Sequence, residues 1–232
     1  MSLGALGPRP GAVLFDLDGT LIDSAPDLAG ACNDMRVAHG LAPMPFERLR
    51  ARVGSGARGM VGTGFSVAPG DAGYLDLRDE FLRRYELRMT QETRVFAAIP
   101  PLLACLGEAG ITWGIVTNKA ARFAEPIVAW LGLAESAGAV VCGDTTPHAK
   151  PHPAPLLEAA RRLGVAADRC VYVGDDRRDV EAGRAAGMAT VVAAWGYLGA
   201  EEPPANWGAD AIIASPEELL TLFDGTALRR PA

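Results

Sequence analysis

The stretch AVLFDLDGTLIDS, residues 12–24, starts as an apolar run and then places two aspartates ahead of a glycine. Near-continuous apolar runs of this kind are typical of strands in a parallel sheet that is covered on both faces. Residues two apart on a strand face the same way, so Asp16 and Asp18 can point together into one cleft. Burying a lone carboxylate is costly, so this pair requires positive charge nearby.

Five further short apolar runs, rich in β-branched residues, follow the first one. They are ITWGIVTN ending at Asn118, GAVVCGD at Asp144, CVYVGDD at Asp176, ATVVAAWG at Gly196 and DAIIAS at Ser215. From Pro100 onward these runs alternate with helical stretches, several of which are followed by the glycine expected after a helix C-terminus. We therefore predict an α/β fold with a doubly wound, mostly parallel sheet, that is, a Rossmann-like core.

The interval from about Ser24 to Arg94 interrupts this alternation because it holds no convincing strand. Apolar residues recur there at roughly helical spacing in the segments APDLAGACNDMRVAHG, PFERLRARV, GARGMVGTGF and LDLRDEFLRRYELRM. We predict an inserted helical cap domain after the first strand, long enough to be a small domain in its own right. The predicted boundaries are 23–94 for the insertion and 1–22 with 95–232 for the α/β core.

Composition narrows the classes of partner. With 232 residues, 49% of them hydrophobic and 22% charged, the chain can bury a substantial core. A formal charge of −6 and the absence of any block of lysine and arginine argue against nucleic acid and against an anionic membrane surface as partners. Small solutes are the expected partners, and the sequence does not reveal the oligomeric state.

Cysteine usage and the N-terminal segment bear on the compartment. Cys32, Cys105, Cys142 and Cys170 are far apart and form no CxxC pair, which argues against a disulfide framework and a zinc site. We expect reduced, mostly buried thiols. The segment MSLGALGPRPGAVLF lacks a basic start, a separate apolar stretch and a cleavage site, and no uncharged apolar run is long enough to span a membrane. The expected location is therefore the cytoplasm.

Polar residues stand at or beyond the carboxyl ends of four predicted strands, where ligands bind in open α/β sheets. In chain order they are Asp16 and Asp18, then Thr117 and Asn118, then Lys150, and finally Asp175 and Asp176 with Asp179 one helical turn later. We expect one cleft to gather a carboxylate cluster, an ammonium group, a hydroxyl and loop amides.

Such a carboxylate cluster needs compensating charge. Asp16, Asp18 and Asp175 would all be anionic at neutral pH if their pKa values were ordinary, near ~3.9. Mg²⁺ is a hard ion that takes oxygen ligands, usually one or two carboxylates, waters and a substrate phosphate. The pattern therefore predicts a magnesium site, with Lys150 supplying further positive charge as a compact ammonium group.

These residues resemble the four ordered motifs of haloacid dehalogenase-like hydrolases. The motifs are Asp16-Leu17-Asp18-Gly19-Thr20, Thr117-Asn118, Lys150-Pro151 and Gly174-Asp175-Asp176 with Asp179. Each motif alone is weak, but four in order at strand ends are specific, and they span nearly the whole chain. The resemblance implies that the helical insertion is a mobile cap over the active site.

The resemblance also implies roles for individual residues. Asp16 is similar to the nucleophile that forms an aspartyl-phosphate, and Asp18 to the general acid that protonates the leaving group and then activates water. Lys150 resembles the residue that steadies the nucleophile and the phosphate. Asp16 and Asp175, with the backbone carbonyl of Asp18, would bind Mg²⁺.

Phosphate binding and support fall to the remaining motif residues. Gly19, Thr117 and Asn118 resemble phosphate-binding residues. Asp179 would support the metal site from an outer position. Asp176, at a position where serine is commoner in the family, would be a second supporting residue.

Within the family, DGTLIDSAPDLA and VTNK are similar to phosphoglycolate phosphatases. GSGARGMV, RFAEPIVAWLGL, VGDDRRDVEAGRAAG and NWGAD more closely resemble bacterial N-acetylmuramic acid 6-phosphate phosphatases, while Ala120 departs from the proline common in phosphoglycolate-type members. The resemblance implies magnesium-dependent hydrolysis of a small phosphomonoester, either of these two compounds. Two alternatives stay open: a sugar phosphomutase, whose usual cap histidine and lysine features we do not find, and a nonenzymatic phosphate-binding protein.

Two other patterns have competing interpretations. GSGARG, residues 54–59, fits a dinucleotide-binding template but follows a charged helical segment instead of a strand. We expect a cap loop whose amides and Arg58 face the active site and bind substrate, with a plain interhelical turn as the alternative. His148 and His152 are four residues apart, but Pro151 argues against a helix that would bring them together, so metal ligation by this pair is not expected.

Overall fold

The computed structural model describes residues 9–199 and 202–223. The chain divides into two compact units, Met1–Ile22 with Val95–Ala232 and Asp23–Arg94. We refer to the first as the core unit and to the second as the helical unit. Residues 1–8, which belong to the segment where no export signal is expected, lie outside the described residues.

Six of the strands in the described residues follow the predicted apolar runs closely. The strands are β1 (Ala12–Phe15), β2 (Ile22–Asp23), β3 (Arg94–Val95), β4 (Thr112–Val116), β5 (Ala139–Val141), β6 (Cys170–Gly174), β7 (Ala189–Ala193) and β8 (Ala211–Ile213). Six of them form one sheet in the order β5-β4-β1-β6-β7-β8, and every neighbouring pair is parallel. The predicted fold class is confirmed.

The helices are α1 (Ala25–Ala38), α2 (Phe46–Arg50), α3 (Gly56–Phe65), α4 (Tyr74–Glu86), α5 (Ile99–Glu108), α6 (Ala121–Trp130), α7 (Ala154–Leu163) and α8 (Arg177–Ala185). Short 3₁₀ helices occupy Val53–Ser55, Ala167–Arg169, Pro204–Asn206 and Pro216–Leu222. In the core unit each of α5 to α8 lies between two successive strands along the chain, as the alternation of patterns predicts.

Strand β1 is central and explains how the polar strand ends come together. Its last residue, Phe15, is in register with Ile115 of β4 on one side and with Val173 of β6 on the other. The carboxyl ends of the three strands are therefore level. Asp16 and Asp175, which directly follow β1 and β6, emerge at the same edge of the sheet.

Both faces of the sheet are covered, since all four residues of β1 are buried. Ala12 and Leu14 belong to a core cluster that includes Leu156 of α7 and Ala182 of α8. Val13 and Phe15 point to the opposite face, because side chains alternate along a strand. This double coverage is what makes the strands read as continuous apolar runs in the sequence.

The helical unit has its own core, formed where α1, α3 and α4 pack together. Met35, Met60 and Phe81 are fully buried, and the rings of Phe81 and Tyr85 are stacked with centroids 6.3 Å apart. The four predicted helical segments are all present. Strands β2 and β3 hydrogen-bond to each other. They were not predicted, because two residues are too few to show a period.

The glycine-rich segment 54–59 departs from the predicted loop. Gly56 opens α3, and Gly59 lies in its first turn. A side chain at Gly59 would collide with the backbone carbonyl of Arg52, so glycine here lets α3 pack closely against the turn that precedes it. Because a helix and not a strand precedes the segment, the structure gives no support to a dinucleotide site.

All four cysteines are buried, as predicted, and none forms a disulfide. Burial raises the pKa of Cys32, Cys142 and Cys170 to about 11, which keeps these thiols protonated and unreactive. Among the helices of the described residues, none combines the length and the apolarity that crossing a membrane requires.

Candidate active site

Asp16 continues the line of β1 beyond its last residue, and its amide donates to the carbonyl of Val173 at 2.9 Å. Its carboxylate accepts a hydrogen bond from the amide of Leu17 at 2.7 Å and lies 3.0 Å from the ammonium group of Lys150. Across the described residues both of these donors meet Oδ1. Oδ2 is therefore the carboxylate oxygen that can point toward a ligand.

Lys150 lies between the strand ends with its side chain almost completely buried. Besides Asp16, its ammonium group donates to the carboxylate of Asp179 at 2.7 Å, the hydroxyl of Tyr172 at 2.7 Å and the carbonyl of Val116 at 3.0 Å. Although burial lowers the pKa of Lys150, the charges of Asp16 and Asp179 outweigh that effect and hold the pKa above its ordinary value. The side chain is a fixed positive charge within the site.

Asp175 is held by two donors that the sequence did not identify. The hydroxyl of Thr20 donates to Oδ1 at 2.8 Å, and the amide of Tyr197 donates to Oδ2 at 2.7 Å. The indole of Trp195 donates in turn to the carbonyl of Thr20 at 3.1 Å. Gly19 has φ of 84°, and a side chain there would collide with the Asp175 carboxylate, so glycine is required on both counts. The orientation of Asp175 is fixed from two sides.

Asp176 and Asp179 start helix α8. Asp176 is the N-cap residue and accepts from the amide of Arg178 at 2.8 Å, while Asp179 accepts from the amide of Asp176 at 3.0 Å, which completes a capping box. Burial would raise the pKa of Asp176, but hydrogen bonds from Arg178 outweigh it and hold the pKa below its ordinary value. The pair fixes the helix start and places Asp179 against Lys150.

Three carboxylates form the acidic centre of the site. Asp16, Asp175 and Asp179 each offer an oxygen, and these oxygens lie within 4.8 Å of one another. Burial raises the pKa of Asp16 to about 7, in spite of Lys150 beside it. Burial and the charges of Asp16 and Asp179 raise the pKa of Asp175 as well. Lys150 contacts two of these carboxylates, Asp16 and Asp179, and the raised pKa values mean that full ionisation of the cluster is costly without further positive charge.

This donor set fits Mg²⁺. A divalent cation prefers carboxylate oxygens, and its charge would bring the three carboxylates and one ammonium group close to neutrality. Asp16 and Asp175, two of the three residues predicted as ligands, belong to the cluster. The predicted contribution of Asp18 is its backbone carbonyl, and its carboxylate is not a member of the cluster. Asp179, predicted as a supporting residue, already accepts hydrogen bonds from Lys150 and from the amide of Asp176.

Thr117 and Asn118, the predicted phosphate binders of the second motif, follow β4. The amide of Thr117 donates to the carbonyl of Val141 at 2.9 Å, and its hydroxyl accepts from the amide of Lys119 at 3.1 Å. The side chain of Asn118 exchanges two hydrogen bonds with the backbone of Lys150, each at 2.9 Å. The Asn118 side chain therefore anchors the Lys150 loop to the end of β4.

Asp18 lies beside a second lysine. Both of its carboxylate oxygens are 3.0 Å from the ammonium group of Lys119. The side chain of Lys119 is only 8% exposed and that of Asp18 is 21% exposed. Sequence reasoning did not assign a role to Lys119, although its position directly after a strand-end Asn was a usable signal.

Three further residues considered from the sequence belong to none of the contacts described above. Arg58 is an exposed residue of α3 in the helical unit, and its contribution to substrate binding stays a prediction. The rings of His148 and His152 are 4.4 Å apart, brought together by a turn and not by a helix. The Nδ1 atom of His152 accepts from the amide of Ala154 at the start of α7. Neither ring belongs to the acidic cluster.

Comparison with known proteins provides independent evidence. The sequence profile of the family described as Haloacid dehalogenase-like hydrolase matches residues 13–193. A protein of Pseudomonas aeruginosa named N-acetylmuramic acid 6-phosphate phosphatase is 46% identical over 92% of this chain and 94% of its own length. A protein of Xanthomonas campestris pv. campestris named phosphoglycolate phosphatase is 45% identical over 90% of this chain and 95% of its own.

A solved structure resembles the fold over nearly the same extent. The crystal structure of a predicted phosphoglycolate phosphatase from Haemophilus somnus aligns with a TM-score of 0.80 at 25% sequence identity. The alignment covers 91% of this chain and 97% of that one. The likeness therefore includes the region of the strand-end motifs as well as the sheet.

Proposed function

Because this chain belongs to the haloacid dehalogenase-like hydrolases, we propose that it is a magnesium-dependent phosphatase that hydrolyses a small phosphomonoester through an aspartyl-phosphate. The family predicted from four short motifs is confirmed, and relatives named phosphatases bear out the predicted enzyme class. The observation that carries the proposal is the meeting of Asp16, Lys150, Asp175 and Asp179 at the carboxyl ends of level parallel strands.

In the first step, Oδ2 of Asp16 attacks the phosphorus atom. A bond forms between that oxygen and phosphorus, and the ester bond from phosphorus to the leaving oxygen breaks. Asp18 donates a proton to the leaving oxygen, so an alcohol departs. Uncatalysed phosphate-monoester hydrolysis is among the slowest reactions known, and a covalent intermediate divides it into two easier steps.

In the second step, Asp18 takes a proton from water, and the water oxygen attacks the phosphorus atom of the aspartyl-phosphate. The bond between Asp16 and phosphorus breaks, inorganic phosphate leaves, and the Asp16 carboxylate is restored. Lys150 keeps the Asp16 carboxylate in place through both steps, because its other three partners fix the ammonium group.

The phosphoryl oxygens require positive charge and hydrogen-bond donors. In this proposal Thr117 and the backbone amide of Asn118 contact the phosphate from the end of β4. When bound to Asp16, Asp175 and the carbonyl of Asp18, Mg²⁺ would neutralise charge on the phosphate. Positioning and charge neutralisation of this kind account for most of the catalysis in phosphoryl transfer.

The substrate is the finer part of the proposal. In this fold the core residues act on the phosphate group common to all monoesters, so discrimination falls to other parts of the chain. N-acetylmuramic acid 6-phosphate and 2-phosphoglycolate both carry a carboxylate, which a guanidinium can grip at two points. We propose that the helical unit acts as a cap, that Arg58 binds this carboxylate and that the amino sugar is preferred. The relative from Pseudomonas aeruginosa supports this preference.

Steady-state kinetics with Mg²⁺ test the proposal. We expect kcat/KM for N-acetylmuramic acid 6-phosphate to exceed that for 2-phosphoglycolate, with inorganic phosphate as a product in both cases. Asp16→Asn should lower turnover by at least about 10⁴-fold while the chain stays folded, because an amide cannot form the acyl-phosphate. Arg58→Ala should raise KM more than it lowers kcat.

Each contrary outcome removes a different part of the proposal. Near-normal turnover by folded Asp16→Asn would exclude Asp16 as the nucleophile. A clear preference for 2-phosphoglycolate would overturn the choice of substrate alone, and an unchanged KM in Arg58→Ala would overturn the role of Arg58. Formation of an isomeric sugar phosphate without inorganic phosphate would indicate a phosphomutase instead.

Four buried cysteines that form no disulfide support a reducing compartment, and we propose that the enzyme acts in the cytoplasm on a small phosphorylated metabolite.

A further inference from the structure

The chain uses lysine very sparingly. Of its 22 basic residues, 20 are arginine, and the two lysines are Lys119 and Lys150. Both ammonium groups lie against the aspartates of the first strand end, Lys150 at 3.0 Å from Asp16 and Lys119 at 3.0 Å from Asp18. The chain therefore has a lysine, and not an arginine, beside each of the two aspartates that the proposed reaction uses.

The contact of Lys119 with Asp18 is of a kind that an ammonium group makes best. Its nitrogen is equally distant, 3.0 Å, from Oδ1 and Oδ2, so a single point charge is centred on the carboxylate. A guanidinium is broader and would occupy more of the space around both oxygens. The contact therefore suits a compact cation that holds the carboxylate from one point.

The backbone of Lys119 is fixed on both sides. Its amide donates to the hydroxyl of Thr117 at 3.1 Å, and its carbonyl accepts from the amide of Gly143 at 2.9 Å. With 8% of its side chain exposed, Lys119 has little of the freedom of a surface lysine. Exposed ion pairs contribute little because they must order two mobile side chains. This pair is instead built on backbone that is already in place.

We propose that Lys119 is a positioning residue that holds the Asp18 carboxylate in line for proton transfer. This inference rests on the proposed function, in which Asp18 gives a proton to the leaving oxygen and takes one from water. Lys150 fixes the nucleophile, and Lys119 fixes the acid and base in the same way from the neighbouring strand end. Lys119 itself forms no bond with the substrate in this proposal.

Substitution of Lys119 should affect kcat and KM differently. We expect Lys119→Met to lower kcat for an alkyl phosphate about 10- to 100-fold and to change KM less than about threefold, because Asp18 loses its orientation while the phosphate site stays intact. Lys119→Arg should recover part of kcat. Arg161→Met, which removes an equal charge from an exposed position on α7, should leave both constants unchanged.

The leaving group supplies a second measurement. The aryloxide of an aryl phosphate can leave without being protonated. The rate of aspartyl-phosphate formation is measured as a pre-steady-state burst. In Lys119→Met this rate should fall much less with an aryl phosphate than with an alkyl phosphate. A purely structural defect would slow both substrates equally. If Lys119→Met does not fold, Lys119→Gln retains a polar donor of similar reach for the same measurements.

A double-mutant cycle with Asp18 completes the test. In an Asp18→Asn background, Lys119→Met should cause no further loss of kcat, since two residues that act as a unit are not additive. Losses that multiply, an effect confined to KM, or equal slowing of both leaving groups would overturn the proposal. If the wild-type protein hydrolyses no phosphomonoester, the proposed function fails. If it does and Asp18→Asn impairs it while Lys119→Met does not, only this inference fails.

Discussion

Two buried carboxylate sites, one in each unit, show what separates a structural acid from a functional one. In the helical unit Asp27 is fully buried and accepts from the amide of Glu92 and from the amide and hydroxyl of Thr93, at 2.8 to 3.2 Å. The guanidinium of Arg88 lies 3.6 Å away. The one buried carboxylate thus meets several donors and a cation, and the two other carboxylates on that guanidinium, Asp34 and Glu92, are more than half exposed to solvent.

The acidic centre of the core unit has the opposite balance. Asp16, Asp175 and Asp179 are all largely buried and lie together, Lys150 contacts Asp16 and Asp179, and burial raises the pKa of Asp16 and Asp175. Buried charges are normally paired, so a cluster whose ionised form is disfavoured by burial is suited to a cation from outside the chain. Burial alone therefore does not mark a functional acid; the balance of donors and charges around it does.

Removal of the metal should have the largest effect and should act on the core unit alone. Chelation should abolish phosphatase activity of the wild-type protein, and Mg²⁺ should restore it. Ca²⁺ should bind but support little turnover, because its looser coordination misplaces the nucleophile. Mg²⁺ should raise the unfolding temperature of the wild type and of Asp27→Asn, but not of Asp175→Asn. Undiminished Mg²⁺ affinity in Asp175→Asn would exclude that residue as a ligand.

The free energy of unfolding without metal should fall as pH rises from about 4 to about 7. Over that range the folded chain keeps a proton on Asp16, whose pKa is about 7, whereas the unfolded chain, with the ordinary value of 3.8, has lost it. The stabilisation is complete below the unfolded pKa and is lost as pH passes the folded pKa, at most about 4 kcal/mol for one group. Urea unfolding at several pH values in chelator measures the slope.

Asp16→Asn is the control for this slope, because an amide does not titrate. In the variant, the slope of the unfolding free energy against pH should be smaller by up to the contribution of one titrating proton. The variant should be at least as stable as the wild type at pH 7.5. An unchanged slope in Asp16→Asn would show that other groups cause the dependence.

Support from outside the cluster should have a smaller effect. Thr20→Val removes the hydroxyl that donates to Asp175 at 2.8 Å. We expect Mg²⁺ affinity to fall about 10- to 100-fold, as is typical when a residue that orients a metal ligand is lost. Saturating Mg²⁺ should restore most of kcat. The readout is the Mg²⁺ concentration at half-maximal activity.

A matched threonine distinguishes this effect from general damage. Thr190, also buried in the core unit, donates its hydroxyl to Asp210 at 3.0 Å in the same manner. Thr190→Val should lower stability without moving the Mg²⁺ requirement. A similar shift in both variants would mean that lost packing, and not the orientation of Asp175, weakens metal binding.

The sequence predicted most of the fold because the six strands are apolar runs, four of which have polar residues at or beyond their carboxyl ends. The register of β1 with its two neighbours then levels the strand ends, which explains why motif residues far apart in sequence meet. Nothing local predicts how each carboxylate is held. Tyr172 lies in an apolar run predicted to be a strand, yet its hydroxyl accepts a hydrogen bond from Lys150. Tyr197 contributes only a backbone amide, which has no sequence signature.

Lys119 and Asp27 illustrate the two other limits. Lys119 follows a recognised motif, but its partner Asp18 lies 101 residues away, and only the parallel pairing of β1 and β4 brings them together. Asp27 stands in the first turn of α1, where an acidic residue is ordinarily explained by the helix dipole. The structure shows instead that its carboxylate accepts from the amides of Glu92 and Thr93, near the C-terminal end of the helical unit.

Replacement of Asp27 should therefore have the smallest effect on catalysis. Asp27→Asn keeps the shape of the side chain but replaces one acceptor oxygen with a donor that faces the amides of Glu92 and Thr93. We expect the free energy of unfolding to fall by about 1–3 kcal/mol, the usual cost of disturbing hydrogen bonds to a charged group. Urea unfolding measures that loss. The kcat/KM and the half-maximal Mg²⁺ concentration should stay within about twofold of the wild type, because the carboxylate binds no group of the acidic centre. A shifted Mg²⁺ requirement in folded Asp27→Asn would contradict the division between a structural and a functional acid, since it would show that the Asp27 site and the acidic centre are energetically coupled.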